Sequence, residues 1–129
     1  MKAVGYREPG PIDHPEALED IDLPRPVATG HDLLVRVAAV SVNPVDTKVR
    51  RRAGAEPGGW KVLGFDAAGE VVEVGEAVTG FRPGDAVFYA GSIARPGANS
   101  EYHLVDERIT GHAPRSLSPA EAAALPLTA

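Results

Sequence analysis

The stretch Gly64–Val87 most constrains the fold, because five glycines divide it into pieces no longer than a short strand. Glu70–Val74, between two of these glycines, is a β-branched run of strand length. Gly75 can adopt a positive φ and end that strand. Arg82–Asp85 has the pattern of a type II turn, with proline second and glycine third, and Ala86–Tyr89 follows as a new strand. These features predict two barrel-type strands joined through a glycine-rich corner.

The rest of the chain predicts more short strands and two short helices. Leu33–Val42 is the most apolar run, and we expect a strand buried on most of both faces. Asn43 is placed to cap a helix over 45–52, and Ser118–Glu121 is a capping box that starts a second helix. The other predicted strands are Met1–Tyr6, Leu18–Leu23, Ser100–Val105 and Ile109–Ala113. This pattern predicts a mainly β, partly open barrel with two short helices.

Composition limits the classes of function. The 129 residues, 43% hydrophobic and 24% charged, are typical of one globular domain. No apolar run reaches membrane-spanning length, and Met1–Pro9 lacks the apolar core of a signal peptide. We therefore expect a cytoplasmic protein without a membrane partner. The absence of cysteine excludes disulfides and thiolate metal ligands, and the net charge of −5 argues against nucleic acid as a partner.

The histidines do not have the spacing of a metal site. None of the four forms an H-x₃-H or H-E-x-x-H pair, and no cysteine can supplement them. The four are His14, His31, His103 and His112. We predict surface or capping histidines and no bound metal.

Two consecutive motifs carry a family resemblance. G-x-D-x-x-G-x-V-x-x-V-G in Gly64–Gly75, followed by V-x-G-F-x-P-G-D-x-V in Val78–Val87, resembles the catalytic domain of medium-chain dehydrogenases/reductases. That domain is a GroES-like barrel, and the resemblance covers residues 1–129. It implies that residues 118–129 begin the helix leading toward a nucleotide-binding domain.

The nucleotide-binding domain itself is missing from this sequence. No G-x-G-x-x-G motif and no βαβ unit occurs in it. The resemblance therefore implies that the chain is the N-terminal part of a longer enzyme. We expect the 129 residues alone to be inactive.

The resemblance also implies that the enzyme works without zinc. Zinc alcohol dehydrogenases similar to this chain have a cysteine ligand where this sequence has Asn43, and a histidine ligand where it has Phe65. Their proton-relay hydroxyl falls at Val45, and their four-cysteine structural lobe is absent. Without these groups, zinc cannot polarise a substrate oxygen in the usual way.

The segment Val42–Arg50 resembles instead the N-x-x-D-x-x-x-R segment of quinone oxidoreductases and related enone reductases. The resemblance implies that Asn43 lies at the cofactor end of the cleft, with Asp46 and Arg50 supporting it from the helix. The residue types alone also allow a structural interpretation. Asn43 would then be only a cap, Asp46 a partner of the helix dipole, and Arg50 a solvated charge.

Four further residues are candidates for the substrate cleft or for catalysis. The resemblance places Phe65 against the substrate and Asp66 beside a cation such as Arg50, although Phe65 would equally suit the core. Tyr89 and Ser92 follow a strand end, where barrel loops form pockets. Tyr89 is a candidate proton donor, but tyrosines more often only pack, so the sequence leaves the proton donor unassigned.

These observations lead to one expected function and two alternatives. We expect a zinc-independent, NADPH-dependent oxidoreductase of the quinone oxidoreductase type, transferring hydride to a small carbonyl, enone or quinone substrate. The choice of NADPH comes from the resemblance alone, which also allows a homodimer. The alternatives are a stand-alone GroES-like binding or co-chaperone module, and a zinc-type alcohol dehydrogenase by name only.

Overall fold

The computed structural model describes residues 1–128, whose strands form two antiparallel sheets. The strands are β1 Lys2–Gly5, β2 Glu19–Asp22, β3 Asp32–Ser41, β4 Asp66–Val74, β5 Ala86–Ala90, β6 Tyr102–Asp106 and β7 Thr110–His112. The smaller sheet pairs β1 with β2, and the larger has the order β6-β3-β4-β5-β7. Over residues 1–128 the sheets do not close into a barrel, which confirms the predicted mainly β, partly open architecture. Ala129, part of the predicted helix toward a further domain, lies outside the described residues.

The pair β3–β4 forms the middle of the larger sheet. Its register runs from Leu33 opposite Val74 to Ser41 opposite Asp66. The main core lies on one face of this pair and joins side chains from β3, β4, β5 and β6. Its buried members include Leu33, Val35, Val71, Val87 and Val105. The strand predicted as Glu70–Val74 starts earlier, at Asp66, because its first residues also pair with Ser41 and Ala90.

The expectation that β3 is buried on both faces is wrong for its second half. Leu33, Leu34 and Val35 are fully buried, but Val40 is 38% exposed. The reason is the sheet topology, since β6 pairs only with residues 32–36 of β3. Val37 still donates its amide to the carbonyl of Glu101, but residues 39–41 pair with β4 only, and the side chains of this part of β3 are less covered.

The predicted type II turn is confirmed. Gly84 has φ of +98°, and the amide of Asp85 donates to the carbonyl of Arg82. The prediction for Gly75 is wrong, because it does not have a positive φ. A side chain at Gly75 would instead collide with the carbonyl of Gly30, so glycine permits close approach of two backbones there.

Both helices begin as predicted. α1 (Pro44–Arg52) follows the N-cap Asn43, and α2 (Pro119–Ala123) follows Ser118, whose hydroxyl accepts from the Glu121 amide. α1 packs Val45 and Val49 onto a second buried cluster, formed by Tyr6, Leu63 and Phe65. α2 covers the sheet at Ala68 with two buried alanines. Among residues 1–128, no helix has the length and apolar character that crossing a membrane requires.

Candidate functional site

Asn43 lies between two buried carboxylates at the start of α1. Its backbone amide donates to Oδ2 of Asp46 at 2.8 Å, and its side-chain amide donates to Oδ2 of Asp66 at 2.9 Å. Asp46 is 5% exposed and Asp66 is fully buried. The structure thus joins three of the predicted site residues in one hydrogen-bonded group, because the end of β3 lies beside the start of β4.

The second oxygen of each carboxylate holds a different backbone segment. Oδ1 of Asp46 accepts from the amide of Gly64, and Oδ1 of Asp66 accepts from the amide of Leu127, both at 2.8 Å. Buried carboxylates need such donors, since an unpaired one is costly. The group therefore ties α1, the corner before β4 and the segment after α2 to one another.

Gly64 shapes the corner that faces this group. Its φ is +98°, which favours glycine, and a side chain there would collide with Asn99. The next residue, Phe65, is 1% exposed and packs with Tyr6 and Leu63. Phe65 thus lies in the core within residues 1–128, immediately before the carboxylate of Asp66.

Arg50 does not form the ion pair that the sequence suggested. Asp66 bonds to Asn43 and Leu127, whereas Arg50 Nη1 donates to the carbonyl of Glu8 at 2.9 Å. The alternative of a solvated charge is also wrong, because Arg50 is only 5% exposed. Its guanidinium lies over the ring of Tyr6, 4.3 Å from the ring centroid, which is a cation–π contact.

A groove of about 550 Å³ lies between α1 and the segment 10–18. Asp46 and Arg50 line it, together with the exposed apolar side chains of Ile12, Leu18 and Val42. This size is typical of small-molecule sites. The groove therefore brings two predicted cleft residues next to an open apolar surface.

Tyr89 pairs with His103 away from the groove. The two rings stack, and the Tyr89 hydroxyl lies 2.8 Å from Nδ1 of His103. Nε2 of His103 lies 2.8 Å from the carbonyl of Pro96, which can only accept. Nε2 of His103 therefore carries a proton and donates to Pro96, and in the neutral ring Nδ1 accepts from the Tyr89 hydroxyl.

Burial changes the pKa values of both Tyr89 and His103. Desolvation raises the pKa of Tyr89 far above its ordinary value and lowers the pKa of His103. The expectation of a surface or capping histidine is wrong at His103, which is 6% exposed. Nothing in the spacing of the sequence indicates its two partners.

Ser92 lies apart from the Asn43 group. It is exposed, its hydroxyl accepts from the amide of Ala94, and it lines a separate cavity of about 290 Å³ with His103 and Arg95. The structure thus groups Asn43, Asp46 and Asp66, places Phe65 and Arg50 next to them, and separates Ser92 and Tyr89.

The donor set at the predicted corner does not suit zinc. The Asn43 amide nitrogen is a hydrogen-bond donor to Asp66, and Phe65 offers only hydrocarbon. Zinc in proteins takes histidine, cysteine or carboxylate ligands. Among residues 1–128, no three such side chains are grouped closely enough to hold a metal ion.

Sequence reasoning missed several contributors to this region. From distant parts of the chain, the backbone amide of Leu127 donates to Asp66 and the side chain of Asn99 packs against Gly64. Ile12 and Leu18, which lie in a loop, form one wall of the groove. Leu18 was predicted to begin the strand Leu18–Leu23, but it precedes β2 and is 45% exposed. The apolar character of Ile12 and Leu18 did not indicate what they face.

Comparison with protein families gives a match over most of the chain. Residues 29–115 match the family described as the alcohol dehydrogenase GroES-like domain. A zinc-type alcohol dehydrogenase-like protein of Staphylococcus epidermidis is 42% identical over 128 residues. The alignment covers 99% of this chain but only 38% of that relative.

Solved structures of related proteins superpose on nearly the whole of this chain. A protein from Rhizobium etli, provisionally described as a zinc-dependent alcohol dehydrogenase, superposes with a TM-score of 0.97 at 64% identity, over 100% of this chain and 37% of its own. The more distant quinone oxidoreductase of Escherichia coli, solved with NADPH, has a TM-score of 0.81 at 26% identity. That match covers 97% of this chain and 37% of the other.

Proposed function

Because this chain belongs to the family of alcohol dehydrogenase GroES-like domains, within the medium-chain dehydrogenases/reductases, we propose that it is the catalytic-domain portion of a zinc-independent, NADPH-dependent oxidoreductase. The proposed reaction is hydride transfer to an electron-poor alkene or quinone. The observation that carries the proposal is the hydrogen bond from Asn43 to Asp66. By the resemblance, zinc relatives hold their metal at this corner, where this chain has an amide bonded to a carboxylate.

The relatives support an oxidoreductase of which this chain is one part. The chain spans 38% of the length of the staphylococcal relative, so the activity is proposed for a longer polypeptide that contains these residues. NADPH is proposed because the quinone oxidoreductase of E. coli was solved with it. The expected cytoplasmic location and the homodimer belong to the same proposal.

NADPH, when bound, supplies the hydride, and this chain's residues orient the reactants. Asn43 would contact the cofactor end of the cleft, and Asp66 would hold the Asn43 amide in one orientation, since a carboxylate accepts and cannot donate. Phe65 packs in the buried cluster beside them. The groove lined by Asp46 and Arg50 is the proposed substrate cleft.

Tyr89 and Ser92 receive no catalytic role in this proposal. The Tyr89 hydroxyl is buried and already paired with His103. Ser92 lines a different cavity, beside Arg95 and His103. Zinc independence is supported by the donor set, because Asn43 and Phe65 cannot supply the cysteine and histidine ligands of the zinc relatives.

The test uses the complete polypeptide, washed with chelator, with NADPH and menadione as substrates. We expect NADPH oxidation that persists without metal. Asn43→Ala should lower kcat/KM by about tenfold, the equivalent of one hydrogen bond. Loss of activity on chelator washing, recovered with zinc, would contradict the proposal.

Ser118→Ala is the matched control for Asn43→Ala. It removes the side-chain cap of α2, and Ser118 does not line the groove. Its activity per folded protein should equal that of the unaltered enzyme. If Asn43→Ala behaves in the same way while its Tm falls, Asn43 is a cap and has no role in the cleft.

A further inference from the structure

The groove beside α1 contains a buried cation without a carboxylate partner. Arg50 is 5% exposed, and within residues 1–128 the only hydrogen bond of its guanidinium goes to the carbonyl of Glu8. No acidic side chain of the described residues lies within ion-pair distance of it. A buried charge in a folded protein is normally paired, so this guanidinium is an exception.

Not all N–H donors of the Arg50 guanidinium have an acceptor among residues 1–128. Its Nε is fully enclosed and has no hydrogen-bond partner among residues 1–128. The ring of Tyr6 covers one face of the guanidinium, 4.3 Å from its centre. A π face compensates part of the charge but does not accept the in-plane N–H groups, so the guanidinium retains donor capacity where it lines the groove.

The neighbouring carboxylates do not compensate this charge. Asp46 lines the groove one helical turn earlier, but both of its oxygens accept backbone amides, from Asn43 and Gly64. Asp13 lines the groove on an exposed loop and forms no ion pair with Arg50. Arg51, also at the groove, adds a second positive charge.

The groove also has exposed apolar side chains in its lining. Ile12 is 66% exposed, Leu18 is 45% exposed and Val42 is 80% exposed. The amide of Gly10 donates to the carbonyl of Arg50 at 3.2 Å, which attaches this wall to the end of α1. The cavity of about 550 Å³ has the size and the mixed lining of a small-molecule site.

We propose that this groove binds a small molecule with an apolar body and a single carboxylate, and that the carboxylate pairs with the guanidinium of Arg50. The guanidinium of Arg50 lines the groove, and a carboxylate oxygen there can accept a charge-assisted hydrogen bond from it. The exposed apolar side chains would cover the body of the ligand. Naming this carboxylic acid as the substrate class rests on the proposed function, whereas the binding itself does not.

Binding is tested by NMR titration of the 129-residue chain with cinnamate, an apolar carboxylate that carries an electron-poor alkene. Cinnamamide, which has the same shape without the charge, is the matched ligand control. We expect saturable shifts of amides in segment 10–18 and α1. Cinnamate should bind roughly 10- to 100-fold more tightly than cinnamamide, the range that a charge-assisted hydrogen bond supports.

Two pairs of variants locate the site. Ile12→Glu places a like charge in the groove and should abolish cinnamate binding, whereas Val27→Glu, at a position that is 70% exposed elsewhere, should not. Arg50→Gln should weaken binding to the level of cinnamamide, and Arg52→Gln, outside the lining, should leave it unchanged. If Arg50→Gln does not fold, the two glutamate variants still decide the question.

Three results would overturn the proposal: no saturable binding up to the solubility limit, equal affinity for cinnamate and cinnamamide, or unchanged binding in Ile12→Glu. The titration contains no nicotinamide. A negative result would therefore remove the carboxylate site and leave the proposed reductase standing. Conversely, a complete polypeptide that fails to oxidise NADPH with menadione would not alter the titration.

Discussion

The side-chain amide of Asn43 donates to a carboxylate oxygen of Asp66 at 2.9 Å, and the two residues lie 23 positions apart in the sequence. Asp66 is fully buried, and its other oxygen accepts the backbone amide of Leu127. A single carboxylate therefore connects the start of α1 to the segment that follows α2. A substitution of Asp66 would remove the acceptor of the Asn43 side-chain amide, of the Leu127 backbone amide, or of both.

Asp66→Asn should destabilise the fold by about 1 to 3 kcal/mol, because the new amide faces two N–H donors with only one acceptor oxygen. Denaturant unfolding measures the free energy, and hydrogen exchange should show a loss of protection at the Leu127 amide. Asp20→Asn, at an exposed position on β2, is the control and should stay within about 0.5 kcal/mol. Equal stability of the two variants would show that the Asp66 hydrogen bonds do not stabilise the fold.

The purified protein should contain no stoichiometric zinc. The family resemblance implies that Asn43 and Phe65 stand where zinc alcohol dehydrogenases have ligands, and residues 1–128 contain no group of three metal-binding side chains. Elemental analysis after washing with chelator checks this prediction. About one zinc per chain would refute it, whatever the names of the relatives.

Stability should decrease as the pH falls below about 6.5, in part because of His103. Burial lowers the pKa of His103 in the folded protein, whereas the unfolded chain titrates near 6.5. Protons therefore bind the unfolded state first, and this part of the stability is present above 6.5 and lost below it. Denaturant unfolding at neutral and mildly acidic pH measures the slope.

The contribution of His103 is isolated by comparing two variants. His103→Gln should show a smaller loss of stability between neutral and mildly acidic pH than the unaltered chain. His14→Gln, at an exposed position, should keep the full loss. Identical slopes in all three proteins would mean that His103 is not the group responsible.

The 129-residue chain should not bind NADPH at micromolar affinity. A dinucleotide site needs a strand, a glycine-rich turn and a helix whose N-terminus faces the pyrophosphate. The strands of residues 1–128 are all antiparallel, and no such unit occurs among them. Isothermal titration calorimetry provides the measurement, and tight binding would require a nucleotide site that these residues do not form.

The local sequence was sufficient for features whose determinants lie within about four residues. The turn at Arg82–Asp85 and the starts of both helices were predicted correctly. Each depends on backbone preferences of proline or glycine, or on a capping side chain close by. Such preferences act before any distant part of the chain has packed, so a sequence motif is enough to specify them.

Only the tertiary structure decided what the polar side chains contact. The sequence suggested an ion pair between Asp66 and Arg50. In the structure Asp66 accepts the backbone amide of Leu127, 61 positions away, and the guanidinium of Arg50 lies over the ring of Tyr6. His103 became buried because β6 presents it to Tyr89 on β5. These partners follow from strand register and from how loops cover the sheet. Register is a property of several segments packing at once, so no single stretch of the sequence contains it.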